Sequence, residues 1–509
     1  MKNALLISVL LVSGIAGSVG ASTIIVAKSG GLYATVQEGI DAAQAGDTIL
    51  VRMGVYNEAV AFGRSGSSQS GFLTLKGEKG AVLDGTGKGE NGITIQNKDY
   101  IKVIGMEVRK FSGSGTPIGI SIEGSSSNLE IRDNVVHTIE NPNGDAHGIA
   151  FYGTAATPIS NIIIDGNEIR DCKLGSSESM VLNGNVSDFT VSNNIIHDND
   201  NIGIDFIGFE GTGPTGQDQA RDGVCCGNQV YNISSASNPA YSGERSADGI
   251  YVDGGKDIVI ERNIVDNCDI GIEVASEHGG RTTSGIKVRS NFVSRSYQGD
   301  IMAGGYASNR GSAADIAIVN NTLYHGRDGA VVLQFNCTNI TIANNIFVAN
   351  RGSDYLVESG SNNSGIMVDN NLYFGASSSD PGAWNDAHAK YNDPLLVNAP
   401  ADMHLKSNSP AKNSGAVLDT MTVGTFDIDG QPRVAETGID IGADEISTAE
   451  VVTSRSGRQI KLSVPHYQVY LRDIRNPGLS GTYFYTLSGK CVRTTALGAA
   501  GIVGISGWK

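Results

Sequence analysis

Positively charged residues are scarce in this chain of 509 residues, which carries 37 Lys and Arg against 53 Asp and Glu and a formal net charge of −16 at pH 7. A strongly acidic protein repels nucleic acid and anionic membranes, so neither is expected as a partner. The same charge opposes a polyanionic substrate unless local cations or a bound metal ion offset it.

Long apolar runs are missing after residue 21. The first 21 residues consist of Lys2, the apolar segment ALLISVLLVSGIAG and a small-residue end with Val19 and Ala21 where a signal peptidase would read. A membrane span needs about 20 apolar residues, and this stretch is shorter and interrupted by Ser and Gly. The sequence predicts a signal peptide over 1–21, no membrane span, and a monomeric mature protein that is secreted or held at the cell surface.

Cysteine is also sparse, with six residues in the whole chain. The chain contains a short repeat whose copies are expected to stack as successive coils. Cys172 and Cys268 occupy equivalent places in copies three coils apart, and at about 4.8 Å per stacked strand this distance is too long for a disulfide. Adjacent Cys225 and Cys226 would point to opposite faces of one strand. Most thiols are therefore expected to be free and partly buried.

Helical periodicity is absent over most of the chain, and a short repeat takes its place. From residue 101, segments such as IKVIGMEV and IVIERNIV alternate apolar and polar residues, and nearly every copy has an Asn at one fixed position. These residues are Asn134, Asn167, Asn194, Asn228, Asn263, Asn291, Asn321, Asn345 and Asn371. Repeat units as short as these cannot bury their apolar faces alone and must stack on one another. Stacked Asn side chains can then bond along the axis inside a bend.

A second strand of the form Gly-Ile-x-apolar-x lies between consecutive copies, as in NGITIQ and DGIYVDG. Its Ile and second apolar residue would point into the coil and its two x positions to solvent. Stacking the copies predicts two outward columns of side chains. The first column contains Thr94, Ser121, Ala150, Val181, Asp205, Tyr251, Glu273, Met302 and Val332.

This repeat resembles the right-handed parallel β-helix of the pectin-lyase-like superfamily. The opening segment TVQEGIDAAQAGDTILVRMGVYNEAV resembles the amphipathic helix and first coil that cap such helices in secreted polysaccharide lyases. The resemblance implies an all-β solenoid of about ten or more coils. It does not select a reaction, because the fold hosts lyases, hydrolases, epimerases and adhesins.

Five regions follow from these patterns. They are a signal peptide at 1–21, a β-helix with its capping helix at 22–374, a C-terminal cap of the helix at 375–446, a polar linker at 447–462 and a small β-sandwich-like domain at 463–509. The segment YFYTLSGKCVRT resembles C-terminal modules of secreted bacterial proteins, some of which are sorting signals. The last region is thus a possible secretion or attachment module.

Carboxylates concentrate on three consecutive coils, which carry Asp205, Asp253 and Glu273 at outward positions. The same coils carry the longest insertions, and long loops over one face of a solenoid commonly form the walls of a binding groove. Like charges on neighbouring strands destabilise one another. A cation, a protonated carboxyl or basic partners must compensate, and we interpret the cluster as a functional groove.

Two reactions fit such a groove. In β-elimination from a pectin-type uronan, Lys256 would remove the proton next to the uronate carboxylate, and Ca²⁺ would neutralise that carboxylate. In hydrolysis, a carboxylate pair such as Asp253 and Glu273 would flank the glycosidic bond. The predicted catalytic residues are Lys256, Asp253, Glu273 and His278. The predicted substrate-binding residues are Asp205, Glu210, Arg221, Tyr251, Tyr306 and Arg310, and the predicted metal ligands are Asp205, Asp253, Glu273 and Glu277.

The sequence lacks the Asn-Thr-Asp, Gly-His-Gly and Arg-Ile-Lys motifs of polygalacturonases and the Asp-Pro-His-Glu motif of alginate epimerases. The N-terminal cap is most similar to those of lyases, while the excess of carboxylates over bases is equally compatible with a hydrolase. We favour the metal-assisted polysaccharide lyase. A glycoside hydrolase is the alternative, and a non-catalytic glycan-binding surface protein is the third.

Overall fold

A computed structural model describes residues 21–89, 91–376, 381–434, 438–446, 482–485 and 491–494. In these residues the chain forms a parallel β-solenoid of about 13 turns, and a separate pair of antiparallel strands lies near the C-terminus. Each full turn contributes one strand to each of three parallel sheets. The fold class predicted from the sequence is confirmed.

The first sheet has fourteen strands in the described residues, and in the nine coils with a ladder Asn its strand precedes that residue. Its strands are Thr23–Val26, Thr48–Val51, Leu73–Gly77, Ile101–Ile104, Ser127–Arg132, Ile159–Asp165, Val186–Ser192, Arg221–Cys226, Lys256–Glu261, Thr282–Ser284, Lys287–Arg289, Ser312–Val319, Cys337–Ala343 and Ser364–Asp369.

The second sheet follows the Asn bend and has thirteen described strands of two to four residues. They are Gly54–Tyr56, Ala81–Asp84, Glu107–Arg109, Val135–His137, Glu168–Arg170, Ile195–His197, Gln229–Tyr231, Ile264–Asp266, Phe292–Ser294, Thr322–Tyr324, Ile346–Val348, Leu372–Phe374 and Lys390–Tyr391.

The third sheet contains the Gly-Ile-x-apolar-x strands and has eleven described members. They are Val60–Ala61, Asn91–Gln96, Ile118–Glu123, His147–Gly153, Met180–Gly184, Ile204–Ile207, Asp248–Asp253, Ile270–Ala275, Gly299–Ala303, Gly329–Leu333 and Leu356–Glu358. Side chains that point inward from the three sheets, mostly Ile and Val, form one continuous core along the axis.

The N-terminal end of the solenoid is covered by the helix Val36–Ala42. Thr35 caps this helix because its hydroxyl accepts from the backbone N–H of Glu38, while the Glu38 carboxylate accepts from the N–H of Thr35. Val36 and Ile40 point into the core. The amphipathic helix predicted from TVQEGIDAAQAG is therefore present.

The predicted asparagine ladder is continuous from Asn134 to Asn371. At each of its eight steps, the side-chain oxygen of one Asn accepts from both the backbone N–H and the side-chain amide of the preceding Asn, at 2.8 to 3.1 Å. All nine residues are fully buried. At the end of the ladder, the Asp386 carboxylate accepts from both donors of Asn371.

After Asp386 the chain turns back along the solenoid. It includes the antiparallel strands Leu396–Asn398 and Asp402–Leu405 and the short helix Thr420–Val423. Buried Arg433 donates to Ser290 Oγ at 2.7 Å, and Asn320 donates to the carbonyl of Asp440. Asp427 accepts from the backbone N–H groups of Asp429 and Gln431, as expected for a segment held by Asx turns.

Three further expectations can be compared with the described residues. Cys172, Cys268 and Cys337 are free and buried, in agreement with the sequence, and Cys225 and Cys226 are buried as well. The predicted signal peptide, apart from its last residue Ala21, and the predicted linker lie outside the described residues. Of the predicted C-terminal domain, the structure describes the antiparallel strands Thr482–Tyr485 and Cys491–Thr494.

Replacing one ladder residue tests how much the ladder stabilises the fold. Asn228→Ala would leave the buried donors of Asn194 without their acceptor and remove an amide donor from the carbonyl of Val191. Each buried polar group without a partner costs about 1–3 kcal/mol, so we expect the free energy of unfolding to fall by about 3 kcal/mol or more. The measurement is urea unfolding followed by circular dichroism. Gln229→Ala, at the exposed neighbouring position, is the matched control, and equal losses in both variants would contradict the role of the ladder.

Candidate functional site

The outward column predicted from the sequence is correct along its whole length. Strand pairing puts Asp205 opposite Tyr251 and Tyr251 opposite Glu273, and the other six members continue the column in both directions. Asp253 lies two residues beyond Tyr251 on the same face. Stacking therefore brings carboxylates from successive coils to one place.

These side chains are buried rather than exposed to solvent, which corrects the expectation. Asp205 is 2% exposed, Asp253 5% and Glu273 7%. Residues of the 232–247 loop cover them: Tyr241 accepts from the Asn201 amide at 3.1 Å, and burial and the charges of Glu178, Asp248 and Glu277 raise its pKa. The loop is fixed because Asn238 donates to the carbonyls of Gly175 and Asp200.

Asp248 belongs to this site although it was not among the predicted site residues. A Cβ at Gly249 would meet Val265 and Cys268 inside the coil, and Ile250 also points inward. Two consecutive inward positions place Asp248 and Tyr251 on the outer face. A simple alternation of inward and outward residues misses this position, and a Gly before the Ile is the signal that could have found it.

Asp248 and Glu273 form a hydrogen-bonded carboxyl pair. Burial and the neighbouring Glu273 raise the pKa of Asp248 well above its usual range, so Asp248 holds a proton that it can donate to Glu273. Burial raises the pKa of Glu273 to about 7, while hydrogen bonds from Asp248 and Gln334 limit the rise. The Gln334 amide donates to Glu273 Oε1 at 3.0 Å. Glu273 is thus the member of the pair that ionises first.

Glu178 and His147 extend the cluster on the preceding coils and were also missed. Burial raises the pKa of Glu178 well above its usual range, and Glu178 in turn raises the pKa of Asp205, which is first of all raised by burial. His147 Nδ1 lies 3.0 Å from the Glu178 carbonyl oxygen, and its Nε2 lies 2.7 Å from the Tyr152 hydroxyl. Burial lowers the pKa of His147 to about 4, so the imidazole is neutral and accepts the proton of the Tyr152 hydroxyl.

We call Glu178, Asp205, Asp248, Asp253 and Glu273 the carboxylate cluster. Asp205 Oδ1 and Asp248 Oδ1 are buried without a hydrogen-bond partner in the described residues. Burial is the main cause of the raised pKa in all five groups. The cluster therefore keeps protons at neutral pH that isolated carboxyls would have lost.

The rim of the cluster is formed by three residues that the sequence predicted. Glu210 accepts from the Asn183 amide at 2.7 Å, and the backbone N–H of Glu277 donates to Asp253 Oδ1 at 2.9 Å. Ligand atoms of Glu210, Asp253 and His278 all lie within 4.8 Å of one another. Of the four predicted metal ligands, this group contains only Asp253, because Asp205 and Glu273 lie deeper under the loop.

Two predicted cationic residues lie away from the cluster. Lys256 begins the next strand of the first sheet, where its ammonium lies 3.7 Å from Asp257 Oδ2 on the outer surface. Arg221 is its neighbour in that sheet and donates to Asn185 and to the carbonyl of Gln219. Neither forms an ion pair with the carboxylate cluster in the described residues, because both side chains leave the solenoid through a different sheet.

The predicted tyrosines differ from each other. Ile202 and Ala275 pack against the Tyr251 ring, so the ring does not offer an open face to a sugar, contrary to expectation. Tyr306 is half exposed, and the Arg310 guanidinium lies 4.7 Å from its ring centroid. Arg310 also lowers the pKa of Glu277, which burial raises. Arg310 is therefore the predicted cation that the structure places at the groove.

Comparison with known proteins gives the family. Residues 91–312 match the family described as right handed beta helix region. The chain is 35% identical over 415 residues to the uncharacterized protein YwoF of Bacillus subtilis (strain 168), which covers 75% of this chain and 88% of YwoF. The chain belongs to the right-handed β-helix family of YwoF.

Solved structures that align with this chain include enzymes and an adhesin, and three of these are 12–14% identical to it. Pectate lyase Pel9A aligns with 84% of this chain and 96% of its own at a TM-score of 0.48, and the Yersinia enterocolitica family 28 exopolygalacturonase aligns with 73% and 78% at 0.49. The surface adhesin PfbA of Streptococcus pneumoniae aligns with 67% and 85% at 0.47. These likenesses concern the fold. Among the described residues of this β-helix, no helix is long and apolar enough to cross a membrane.

The raised pKa of Glu273 makes stability depend on pH. The folded carboxyl has a pKa of about 7 against an ordinary value of 4.5, so the folded state binds more protons between these values. Glu273 therefore lowers the free energy of unfolding as the pH rises through this window. The neutral amide of Glu273→Gln removes that loss, and we expect the variant to be more stable than the parent by roughly 1–3 kcal/mol at pH 8 and nearly equal at pH 4.5.

The measurement is urea unfolding of both proteins across this pH range. Buried carboxyls away from Glu273 titrate alike in both proteins and cancel in the difference, while Asp248 and Asp253 lose the charge of Glu273 in the variant and add to its gain at high pH. Glu123→Gln, at an exposed outward position of the same sheet, should show no pH-dependent gain. A constant difference between Glu273→Gln and the parent at all pH values would contradict the titration of Glu273.

Proposed function

We propose that this protein is an exported polysaccharide-degrading enzyme that hydrolyses glycosidic bonds with Asp253 and Glu273. The observation that carries the proposal is the difference between the surroundings of these two carboxyls on neighbouring strands of one face. Paired carboxyls with different protonation are the requirement of glycoside hydrolysis.

The two carboxyls can take different roles. Burial and the charges of Glu277, Glu210 and Glu273 raise the pKa of Asp253 well above its usual range, so it can hold the proton for the leaving oxygen. Glu273 accepts hydrogen bonds from Asp248 and Gln334, which favour its ionised form. Glu273 would act as the nucleophile or the base.

The position of Lys256 favours hydrolysis over the lyase reaction that the sequence predicted. β-Elimination needs a base beside the bound sugar, and Lys256 lies on the first sheet beside Asp257. Arg310 is at the groove, but a guanidinium keeps its proton in proteins. The carboxyl pair needs no additional base, so hydrolysis uses the groups that are present.

Substitution of each carboxyl tests the reaction. With xylan, pectate and alginate as substrates, we expect the parent protein to release reducing ends without near-ultraviolet absorbance, whether or not a chelator is present. Asp253→Asn and Glu273→Gln should each lower kcat by about 100-fold or more, as expected for the loss of a general acid or base. Glu123→Gln is the control on the same sheet and should keep full activity.

Other outcomes assign other functions. An unsaturated product that disappears with chelator would replace hydrolysis by metal-assisted elimination. Retention of activity in both carboxyl variants would refute the assigned pair. Binding to one of these glycans without any product would replace the enzyme by the glycan-binding protein.

The group of Glu210, Asp253 and His278 supports the metal-assisted lyase as a second candidate. Their ligand atoms can meet around one ion, and when bound, a divalent cation would supply the charge that neutralises a uronate carboxylate. The set fits a divalent cation, although one imidazole among two carboxylates suits Zn²⁺ or Mn²⁺ better than Ca²⁺, which prefers oxygen ligands alone.

Removal of the imidazole tests this group without an activity assay. We expect a bound divalent cation to raise the melting temperature of the parent by several degrees, since a ligand of the folded state stabilises it. His278→Ala should lose most of that shift. His388→Ala, whose imidazole is exposed and paired with Asp369, is the control and should keep it. No shift with Ca²⁺, Mn²⁺ or Zn²⁺ would remove the metal-assisted candidate.

A further inference from the structure

A cavity of about 470 Å³ lies at the corner between the second and third sheets, beside the 232–247 loop. Its lining comes from successive turns, just after the strands Gln229–Tyr231, Ile264–Asp266, Phe292–Ser294, Thr322–Tyr324 and Ile346–Val348. The volume is within the range of roughly 300–1,000 Å³ that is typical of small-molecule sites. No residue of the carboxylate cluster lines it.

Three arginines converge on this cavity in a protein whose net charge is strongly negative. They are Arg245, Arg295 and Arg327, and their side chains are 43% to 52% exposed. Local cations are what an acidic protein needs in order to bind an anionic ligand. We call this site the arginine cavity.

The guanidinium groups are held in place by the wall of the cavity. The guanidinium carbons of Arg327 and Arg245 lie 3.8 and 4.4 Å from the centroid of the Tyr297 ring. Such cation–π contacts fix the planes of the guanidinium groups. The Gln298 amide also donates to the carbonyl of Arg245 at 2.6 Å, which anchors the loop that carries it.

Acidic partners use only part of the donor capacity of the arginines. Arg327 directs two nitrogens to Asp328, and Arg295 directs two to Asp266, whereas each guanidinium has five N–H donors. Asp269 faces Arg245 at 3.8 Å, but it already accepts from the Ser234 hydroxyl and the Ser235 N–H. Donors therefore remain for a further anion.

The rest of the lining identifies the class of ligand. Amide and hydroxyl groups of Asn232, Asn267, Asn350, Ser234 and Ser296 surround the arginines. Amides and hydroxyls match the hydroxyls of a sugar, and a planar guanidinium matches a carboxylate or sulfate. This combination suits an acidic sugar better than a phosphopeptide or a neutral glycan.

We propose that the arginine cavity is a second carbohydrate site that binds an acidic sugar residue of a glycan through Arg245 and Arg327. The anionic group is a uronate carboxylate or a sulfate ester. This site lies apart from the carboxylate cluster and does not depend on the reaction proposed there.

Direct binding tests the site. Isothermal titration calorimetry would use a hexamer of galacturonic acid, a sulfated oligosaccharide of similar length and a neutral galactose hexamer, each with Glu273→Gln protein to prevent hydrolysis. We expect one of the acidic oligosaccharides to bind at least 10-fold more tightly than the neutral hexamer. The acidic ligand that binds more tightly identifies the anionic group.

Two arginine variants distinguish binding at this site from a general attraction of the acidic ligand to positive charge. Arg245→Ala/Arg327→Ala should weaken the binding of the acidic oligosaccharide at least 10-fold, and Arg327→Ala alone should weaken it to a smaller extent. Arg52→Ala removes an equally exposed arginine that pairs with Glu78 near the N-terminal end and should bind like the parent. Unchanged melting temperatures would show that both variants are folded.

Three results would overturn the proposal. These are the absence of binding by both acidic oligosaccharides, equal binding of the neutral hexamer, and equal weakening by Arg52→Ala. Absence of hydrolysis by the parent protein together with intact binding at the arginine cavity would refute the proposed reaction only, so the two proposals fail separately.

Discussion

In-register parallel pairing is the constraint on which the whole molecule depends. Each strand lies directly over the equivalent strand of the preceding coil, so a residue position in the repeat becomes a line of side chains along the axis. Inside the bend, that line is the ladder of buried asparagines. On the outside of the third sheet, the same rule gathers Asp205, Asp253 and Glu273 although almost 70 residues separate the first from the last.

Stacking of like charges has an energetic cost, and the structure shows how it is reduced. Burial removes the screening of water, so the carboxyls cannot all ionise and several retain protons. The shared hydrogen bond of Asp248 and Glu273 and the amide of Gln334 satisfy part of the cluster. The loop that buries the cluster thus also determines which of its members carry charge. A site of this kind destabilises the fold locally, as functional sites commonly do.

The sequence predicted those features that follow from the repeat itself. The ladder positions and the first outward column follow from a period of two within each strand and a fixed position in each coil, and the helix at the N-terminal end was predicted from the resemblance of the opening segment to the caps of secreted polysaccharide lyases. Asp248 was not among the predicted site residues because two consecutive residues, Gly249 and Ile250, point inward. This shifts the alternation of inward and outward residues by one place. Lys256 was misplaced for a related reason: three residues after Asp253, the chain has already turned onto the first sheet. Glu178, His147 and the arginine cavity depend on how loops and corners fold over the coils, and no periodic pattern encodes that.

Asp386 has a consequence for how the solenoid ends. An asparagine in a ladder both accepts from the coil before it and donates to the coil after it, so a ladder of asparagines could in principle grow without limit. The Asp386 side chain accepts from Asn371, from the Asn370 N–H and from the Tyr373 hydroxyl, but unlike an asparagine it has no amide N–H to donate onward. A further coil, whether from this chain or from a neighbouring molecule, would find no side-chain amide there to continue the ladder. The exposed edge of a parallel sheet can pair with another chain, and the acid at 386 means that the side-chain ladder adds nothing to such pairing beyond Asn371.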